Sequence, residues 1–243
     1  MFTLNHFILI GACALAVTGL LIWDKFKPLP FDKVITALTI GATISECIKI
    51  FSSMIEGYGG GMHLDPLDLP FHLCSIQLFL IYALKFFVKS EITREKILGF
   101  MSPMMLLGGF LAIMIPTEGV DFTVAQVYQY FFYHAMLIFF SLYIIRHGLV
   151  NWSVAVLLRN ARYLGAAAFF ATLLNSILYP TSEEVNFFFL VRPPMENLPI
   201  INLNNGWFGY IATLFAIAVV LIGGFHAILI LLQKKSLDKK SGK

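Results

Sequence analysis

Two residues able to generate a nucleophile stand inside otherwise apolar sequence. Cys74 lies in Leu69-Pro70-Phe71-His72-Leu73-Cys74-Ser75-Ile76-Gln77, which opens one apolar run, and His134 lies in Tyr130-Phe131-Phe132-Tyr133-His134, just inside another. A thiol reacts as its thiolate, and a neighbouring imidazole can take the proton. A carboxylate or amide can then orient the imidazole, as the third member of a triad does. Taken singly, Cys74 reads as a small packing residue and His134 as a hydrogen-bonded one. Together, with Gln77 close by, they define a candidate Cys–His pair, because polar groups in a membrane span are costly unless they have partners or a task. A metal site from Cys74, His134, Cys47 and His72 is a second reading, with no tight ligand spacing behind it. A Cys47–Cys74 disulfide is a third.

The elements that must hold these residues are membrane helices. Of 243 residues, 58% are hydrophobic and 13% charged, about half the charge of a soluble domain. This excludes a separate soluble domain, and no nucleic-acid motif is present. Seven apolar runs are long enough to cross a bilayer, near 4–23, 34–54, 69–88, 97–115, 127–146, 160–179 and 207–232. The expected fold is all-α, a seven-helix transmembrane domain over 1–233 followed by a basic, disordered tail at 234–243. Lys and Arg cluster in alternate connections: Lys25, Lys27 and Lys33; Lys89, Arg94 and Lys96; Arg146, Arg159 and Arg162; then the tail lysines. The positive-inside rule therefore predicts an outside N-terminus and a cytoplasmic C-terminus. The first run lacks a basic leader and a small-residue cleavage site, so it reads as a span rather than a signal peptide.

Depth then ties the polar residues together. In the second run Thr39, Thr43, Glu46, Lys49 and Ser53 recur at steps of three and four, which places them on one helical stripe facing the bundle interior. Glu46 and Lys49 can pair with each other. Gln126, Tyr130, His134 and Ser141 share a face of the fifth run, and Thr172, Asn175, Ser176 and Tyr179 form a stripe closing the sixth. With the predicted orientation, Glu46, Cys74, His134 and Asn175 fall in one slab ~7–12 Å below the outer surface, an outward-opening polar pocket. Asn5 and His6 read as wetted interface residues, Pro103 as a kink and Gly108-Gly109 as a close helix contact. The glycine-rich, acidic stretch 57–68 reads as a flexible or tightly turning lip over the outer face, and His226 falls near the other face, outside the pocket.

At these residues the chain resembles a known group. The segment Leu69-Pro70-Phe71-His72-Leu73-Cys74 and the segment Tyr130-Phe131 to His134 resemble the YwaF-type bacterial integral membrane family, which is similar to eukaryotic transmembrane protein 164. The resemblance covers most of the chain. It implies a plasma-membrane protein of a bacterium and, from the eukaryotic relative, a phospholipid acyltransferase with an acyl-cysteine and a histidine, falling on Cys74 and His134. On that reading His134 deprotonates Cys74, and the thiolate attacks the ester carbonyl of a phospholipid. The acyl group then passes to a lysophospholipid or to water. Gln77 or Asn175 would donate to the oxyanion, Glu46 would orient His134, and Lys49 or Arg192 would hold the charged head group. No cofactor is implied.

Two other classes compete with the acyltransferase or acyl hydrolase. A small transporter or lipid-binding protein would use the stripe on the second run as a path and needs polar residues reaching both faces. A non-catalytic partner subunit needs neither. The inner halves of the runs look apolar apart from Thr39 and His226, which favours a one-sided site.

Overall fold

The computed structural model describes residues 3–56, 64–116, 120–195 and 200–240. Among them the chain is helical throughout, without strands, in seven helices: α1 Leu4–Phe26, α2 Phe31–Glu56, α3 Leu73–Tyr82, α4 Glu91–Met114, α5 Ala125–Arg146, α6 Val154–Leu178 and α7 Gly206–Lys240. An all-α polytopic bundle is what the apolar runs predict, since in lipid a spanning backbone must satisfy its own hydrogen bonds. Of the expected lip over 57–68, residues 57–63 lie outside the described residues, and 66–68 form a 3-10 turn.

Six helices are long and apolar enough to cross a membrane. The exception is α3, which ends in a π-turn over Ala83–Phe87. Residues 73–87 span about 22 Å at the helical rise, short of a hydrocarbon core of about 30 Å. The deficit falls at its N-terminus. Although the apolar run begins at residue 69, Pro70 does not open the helix; Leu69–His72 form a turn, preceded by a 3-10 turn at Pro66–Asp68, and His72 is the N-cap. The helix thus starts after His72, the one arrangement in which His72 and Cys74 are not forced onto opposite faces of it.

Helix ends reach beyond the apolar runs because they are capped. Ser90 Oγ accepts the Thr93 N–H and Ser153 Oγ accepts the Val156 N–H, so α4 and α6 begin six residues earlier than hydropathy suggests. At the other extreme α7 continues as helix through Lys240, where the sequence reading expected a disordered tail from residue 234.

At the centre sits α5, packed against α4, α2 and α1, with Phe131, Leu137, Phe140 and Ile144 buried along it. In a bilayer such packing gains little from the hydrophobic effect, and close contact and interhelical hydrogen bonds carry it. Both are present. Ser141 Oγ donates to the Ser102 carbonyl at 2.8 Å and meets Ser102 Oγ at 2.9 Å, joining α5 to α4. Gln129 Nε2 donates to Ser45 Oγ at 2.6 Å, joining α5 to α2. Pro103 removes the N–H that would bond the Gly99 carbonyl four residues back; Asn160 Nδ2 of α6 supplies the missing donor at 2.6 Å.

The bundle has a basic end, holding the α1–α2, α3–α4 and α5–α6 connections, and an opposite end, holding the start of α3. At the basic end Asp24, 1% exposed, accepts from Leu29 N at 2.9 Å and His147 Nε2 at 2.9 Å and pairs with Arg146 Nε at 3.2 Å. At the opposite end His6 is fully buried and donates through Nε2 to the Ile113 carbonyl at 2.8 Å. The expected wetted interface position is therefore corrected for His6: its ring staples α1 to the end of α4.

Candidate functional site

Cys74 occupies the second position of α3 and is half-buried. Its Sγ faces α4, where a Cβ added at Gly108 would lie 3.4 Å away. A Cβ at Gly109, the next residue, would lie 3.1 Å from the carbonyl oxygen of His134. Adjacent glycines of one helix thus contact Cys74 on one side and the His134 backbone on the other. The thiol and the histidine backbone stand at the same level of the bundle, against neighbouring faces of α4. Among the described residues no direct hydrogen bond joins Sγ to the imidazole.

The histidine itself is ordered by its own helix. Nδ1 lies 2.8 Å from the Tyr130 carbonyl, and a carbonyl can only accept, so Nδ1 carries the proton. That leaves Nε2 as the lone-pair nitrogen, the form a general base requires. The Tyr130 ring lies 4.4 Å from the imidazole, centroid to centroid, and its hydroxyl donates to the Ala112 carbonyl at 3.0 Å. Tyr130 therefore fixes His134 twice, through backbone and ring. Glu46, expected to orient the imidazole, is not needed for that.

Tyr133, which the sequence does not single out, also contributes to the site. Its hydroxyl donates to the Cys74 carbonyl at 2.8 Å, tying α5 to the first turn of α3. The same phenol lies within electrostatic reach of the Cys74 thiol, Glu46 and Tyr82. Its position next to His134 was the only signal; nothing in the spacing separated it from Phe131 and Phe132.

The stripe on α2 faces this region, as its periodicity predicts. Glu46 Oε1 and Lys49 Nζ pair at 2.7 Å, each side chain 15% exposed. Thr43 Oγ1 meets the Tyr82 hydroxyl of α3 at 2.8 Å, and Ser53 Oγ donates to Asp68 Oδ2 at 2.5 Å. Lys49 also lies within electrostatic reach of His72. Gln77 is buried on α3; its Nε2 donates to the Leu73 carbonyl at 3.1 Å, and its Oε1 is a buried acceptor without a partner.

Two expected contributors are placed elsewhere. Asn175 is buried, but its Oδ1 accepts Phe187 N at 2.8 Å and its Nδ2 donates to Phe187 O at 3.1 Å, so its amide clamps a loop rather than an oxyanion. Arg192 donates to the carbonyls of Glu183 and Glu184, each at 2.7 Å, and pairs with Glu184 Oε2 at 2.5 Å, which commits it to the loop as well. What the two residues build is a lid. The α6–α7 segment turns back into the bundle with Val185 and Phe187 fully buried, and the rings of Phe187 and Phe189 pack on His72 at 5.2 and 5.8 Å. Asn186 ties that turn to the backbone of Val191 and Arg192, and the Tyr210 hydroxyl donates to the carbonyls of Phe189 and Arg192. Phe188 and Phe189 hold φ of 58° and 54°, left-handed values that bulky residues adopt only when their surroundings impose them.

All three cysteines are free thiols, so the Cys47–Cys74 disulfide is not formed, and Cys47 is exposed. Among the described residues no three His, Cys, Asp or Glu side chains gather as a metal would require, which separates the four residues of the metal reading.

Buried polar layers within an all-helical apolar bundle define an integral membrane protein. The chain belongs to the TMEM164 family, whose profile matches residues 1–225, most of the chain and all of the site. The match supports the transmembrane protein 164 side of the resemblance; the bacterial YwaF naming rests on the sequence segments alone. No curated protein and no solved structure matches the chain.

Proposed function

We propose that this membrane protein moves an acyl chain from a phospholipid through an acyl-cysteine on Cys74, with His134 as base. The observation that carries the reading is the level shared by a half-buried thiol and an imidazole whose Nε2 is left unprotonated by the Nδ1–Tyr130 bond. In the first half-reaction Nε2 takes the thiol proton, directly or through a water, and the thiolate attacks the ester carbonyl carbon. The tetrahedral intermediate collapses with cleavage of the ester C–O bond, and the imidazolium returns its proton to the departing lysophospholipid oxygen. In the second half-reaction Nε2 deprotonates the acceptor hydroxyl, of a lysophospholipid or of water. That oxygen attacks the thioester, and the thiolate leaves and is reprotonated. Of the two amides expected to donate to the oxyanion, Gln77 alone stays beside Cys74 in sequence and helix, and only the second hydrogen of its Nε2, whose first goes to the Leu73 carbonyl, is left to serve. Lys49 is the cation placed to meet a phosphate, while Glu46 serves as its partner. The lid over His72 limits bulk water, which would otherwise divert the thioester to hydrolysis.

The proposal includes an orientation with the N-terminus outside, the site opening to the outer leaflet of a bacterial plasma membrane, on the alternation of basic connections. The test incubates purified protein in liposomes with labelled phospholipid and a lysophospholipid acceptor, with intact-mass detection of acyl-Cys74. Cys74→Ala and His134→Ala are expected each to abolish transfer while leaving folding intact. Full activity in Cys74→Ala, or no transfer by the unaltered protein across head groups, would hand the reading to a transporter. That alternative draws on one specific observation: the half of the bundle toward the basic end is less apolar than the sequence suggests, with Ser102–Ser141 and Asn160–His226 contacts at 2.9 and 3.1 Å.

A further inference from the structure

A groove runs between α3, α4 and α6, away from the Cys74–His134 level and toward the basic end. It encloses about 290 Å³ and is walled by Ile76 and Leu80 of α3, Ile97 and Phe100 of α4, and Ala167 of α6. That is the small end of the range of ligand pockets, room for part of an acyl chain rather than a whole lipid. Thr93, Lys96 and Tyr163 complete the lining, so the apolar walls end in two hydroxyl-bearing side chains and an ammonium. Lys96 stands in the second turn of α4, at the basic end, and forms no ion pair among the described residues. The carboxylates nearest along α4 are engaged: Glu91 pairs with Arg94, and Glu95 Oε1 accepts the Asn151 N–H at 3.0 Å.

Arg159 adds the second observation. It lies four residues before Tyr163 and eight before Ala167, so it continues that side of α6 toward the basic end, beyond the residues that line the groove itself. Its guanidinium reaches α4, with Nη2 3.2 Å from the position of a Cβ at Gly99. Both Nε and Nη2 are buried and have no protein acceptor. Orphaned donors on a guanidinium are costly, and phosphate is the acceptor its planar fork fits best.

From this juxtaposition we propose that the α3/α4/α6 groove binds an anionic glycerophospholipid of the leaflet at the basic end, its phosphate between Lys96 and Arg159 and one acyl chain along Ile97, Phe100 and Ala167. The site is separate from the proposed Cys74–His134 chemistry and stands or falls independently of it. Charge complementarity selects the occupant. A zwitterionic lipid offers the same chain but brings a cation toward two unneutralised cations, whereas an anionic head group meets them.

The test equilibrates the purified full-length protein with mixed vesicles of phosphatidylcholine and phosphatidylglycerol, then identifies co-purifying lipid by native mass spectrometry. The unaltered protein is expected to retain phosphatidylglycerol in preference. Lys96→Gln and Arg159→Gln should each lower that preference about fivefold, the worth of one cation against an anionic lipid. Lys27→Gln, an exposed change at the same end of the bundle, should leave it unaltered. Ala167→Trp, which fills the groove, should reduce retention of both lipids. Because Lys96 is exposed, its substitution folds even where Arg159→Gln does not, and it decides alone. If Lys96→Gln and Lys27→Gln give the same preference as the unaltered protein, or if all three lower it equally, the cations act as diffuse surface charge and the proposal is wrong. Undiminished retention in Ala167→Trp would overturn the placement of the chain.

Discussion

Gly108 and Gly109 are neighbours on α4, yet alanine should affect them in opposite ways. At Gly108 a methyl group meets only the Cys74 Sγ, at 3.4 Å, an ordinary van der Waals contact. At Gly109 it meets Ile138 Cγ1 at 3.0 Å and the His134 carbonyl oxygen at 3.1 Å, and a carbonyl on a central helix cannot rotate away. Replacing a mid-helix glycine by alanine gains about 1 kcal/mol in helix propensity. Inserting a methyl group into a packed contact costs about 1–3 kcal/mol. Gly108→Ala is therefore expected to be neutral or more stable by up to about 1 kcal/mol, and Gly109→Ala less stable by up to about 2 kcal/mol. Thermal unfolding in detergent reads the stability. Maleimide labelling of Cys74, in a background where Cys13 and Cys47 are alanine, reads the thiol. Gly108→Ala should slow labelling, since the added methyl crowds Sγ, while Gly109→Ala should speed it as α4 and α5 are pushed apart. Equal stability of the two variants, or unchanged labelling in Gly108→Ala, would mean that α4 does not pack on the thiol and the His134 carbonyl as the two glycine contacts require.

Two further predictions concern bonds that hold the site and its scaffold. Tyr133→Phe removes the donor to the Cys74 carbonyl; interhelical bonds in membranes average about 0.6 kcal/mol and reach about 1.7, so a small loss of stability is expected. If Tyr133 positions the thiol, acyl transfer in the liposome assay should fall by a larger factor than that loss alone accounts for; a fall confined to stability would leave Tyr133 a packing residue. Asn160→Leu should cost about 1–3 kcal/mol by orphaning the Gly99 carbonyl. The cost should shrink in a Pro103→Ala background, where the residue 103 N–H can bond that carbonyl; equal costs in the two backgrounds in a double-mutant cycle would refute the compensation.

Six of the seven helices are legible in the sequence because lipid leaves a spanning segment little choice, and hydropathy reports that constraint directly; α3, read as a full span over 69–88, is too short to cross because Leu69–His72 form a turn instead of helix. The orientation of the α2 stripe is equally legible, because Thr43, Glu46 and Lys49 share one face by periodicity alone. Helix ends are less so: Ser90 and Ser153 cap α4 and α6 in polar sequence that a hydropathy window reads as loop. Least legible is the α6–α7 segment. Asn175, Asn186 and Arg192 look available in sequence, and only their partners at Phe187, Val191 and Glu184 show that they are committed. His6 errs in the other direction. Its acceptor, the Ile113 carbonyl, lies more than a hundred residues away, so no local signal separates a buried staple from a wetted surface histidine.

That difference bears on what defines the candidate site. Cys74 and His134 were conspicuous because polar residues are rare in spans, but their rarity says nothing of their state. Their state comes from residues with no chemistry of their own. The Tyr130 carbonyl sets the tautomer of His134, Gly108 leaves space for Sγ, and Phe187 and Phe189 cover His72 in a backbone conformation that Asn186 and Tyr210 must hold. A reactive pair in a membrane needs such settings more than one in water does. There is little solvent to rotate an imidazole, accept a stray proton or fill a gap between helices, so geometry missed by the fold is not recovered during the reaction. The consequence is directional. Substitutions at Gly108, Tyr130 or Asn186 should disturb Cys74 and His134 while leaving both side chains chemically intact, whereas changes on the lipid-facing sides of α1 and α7 should not, and any activity assigned to this chain can be mapped by that contrast.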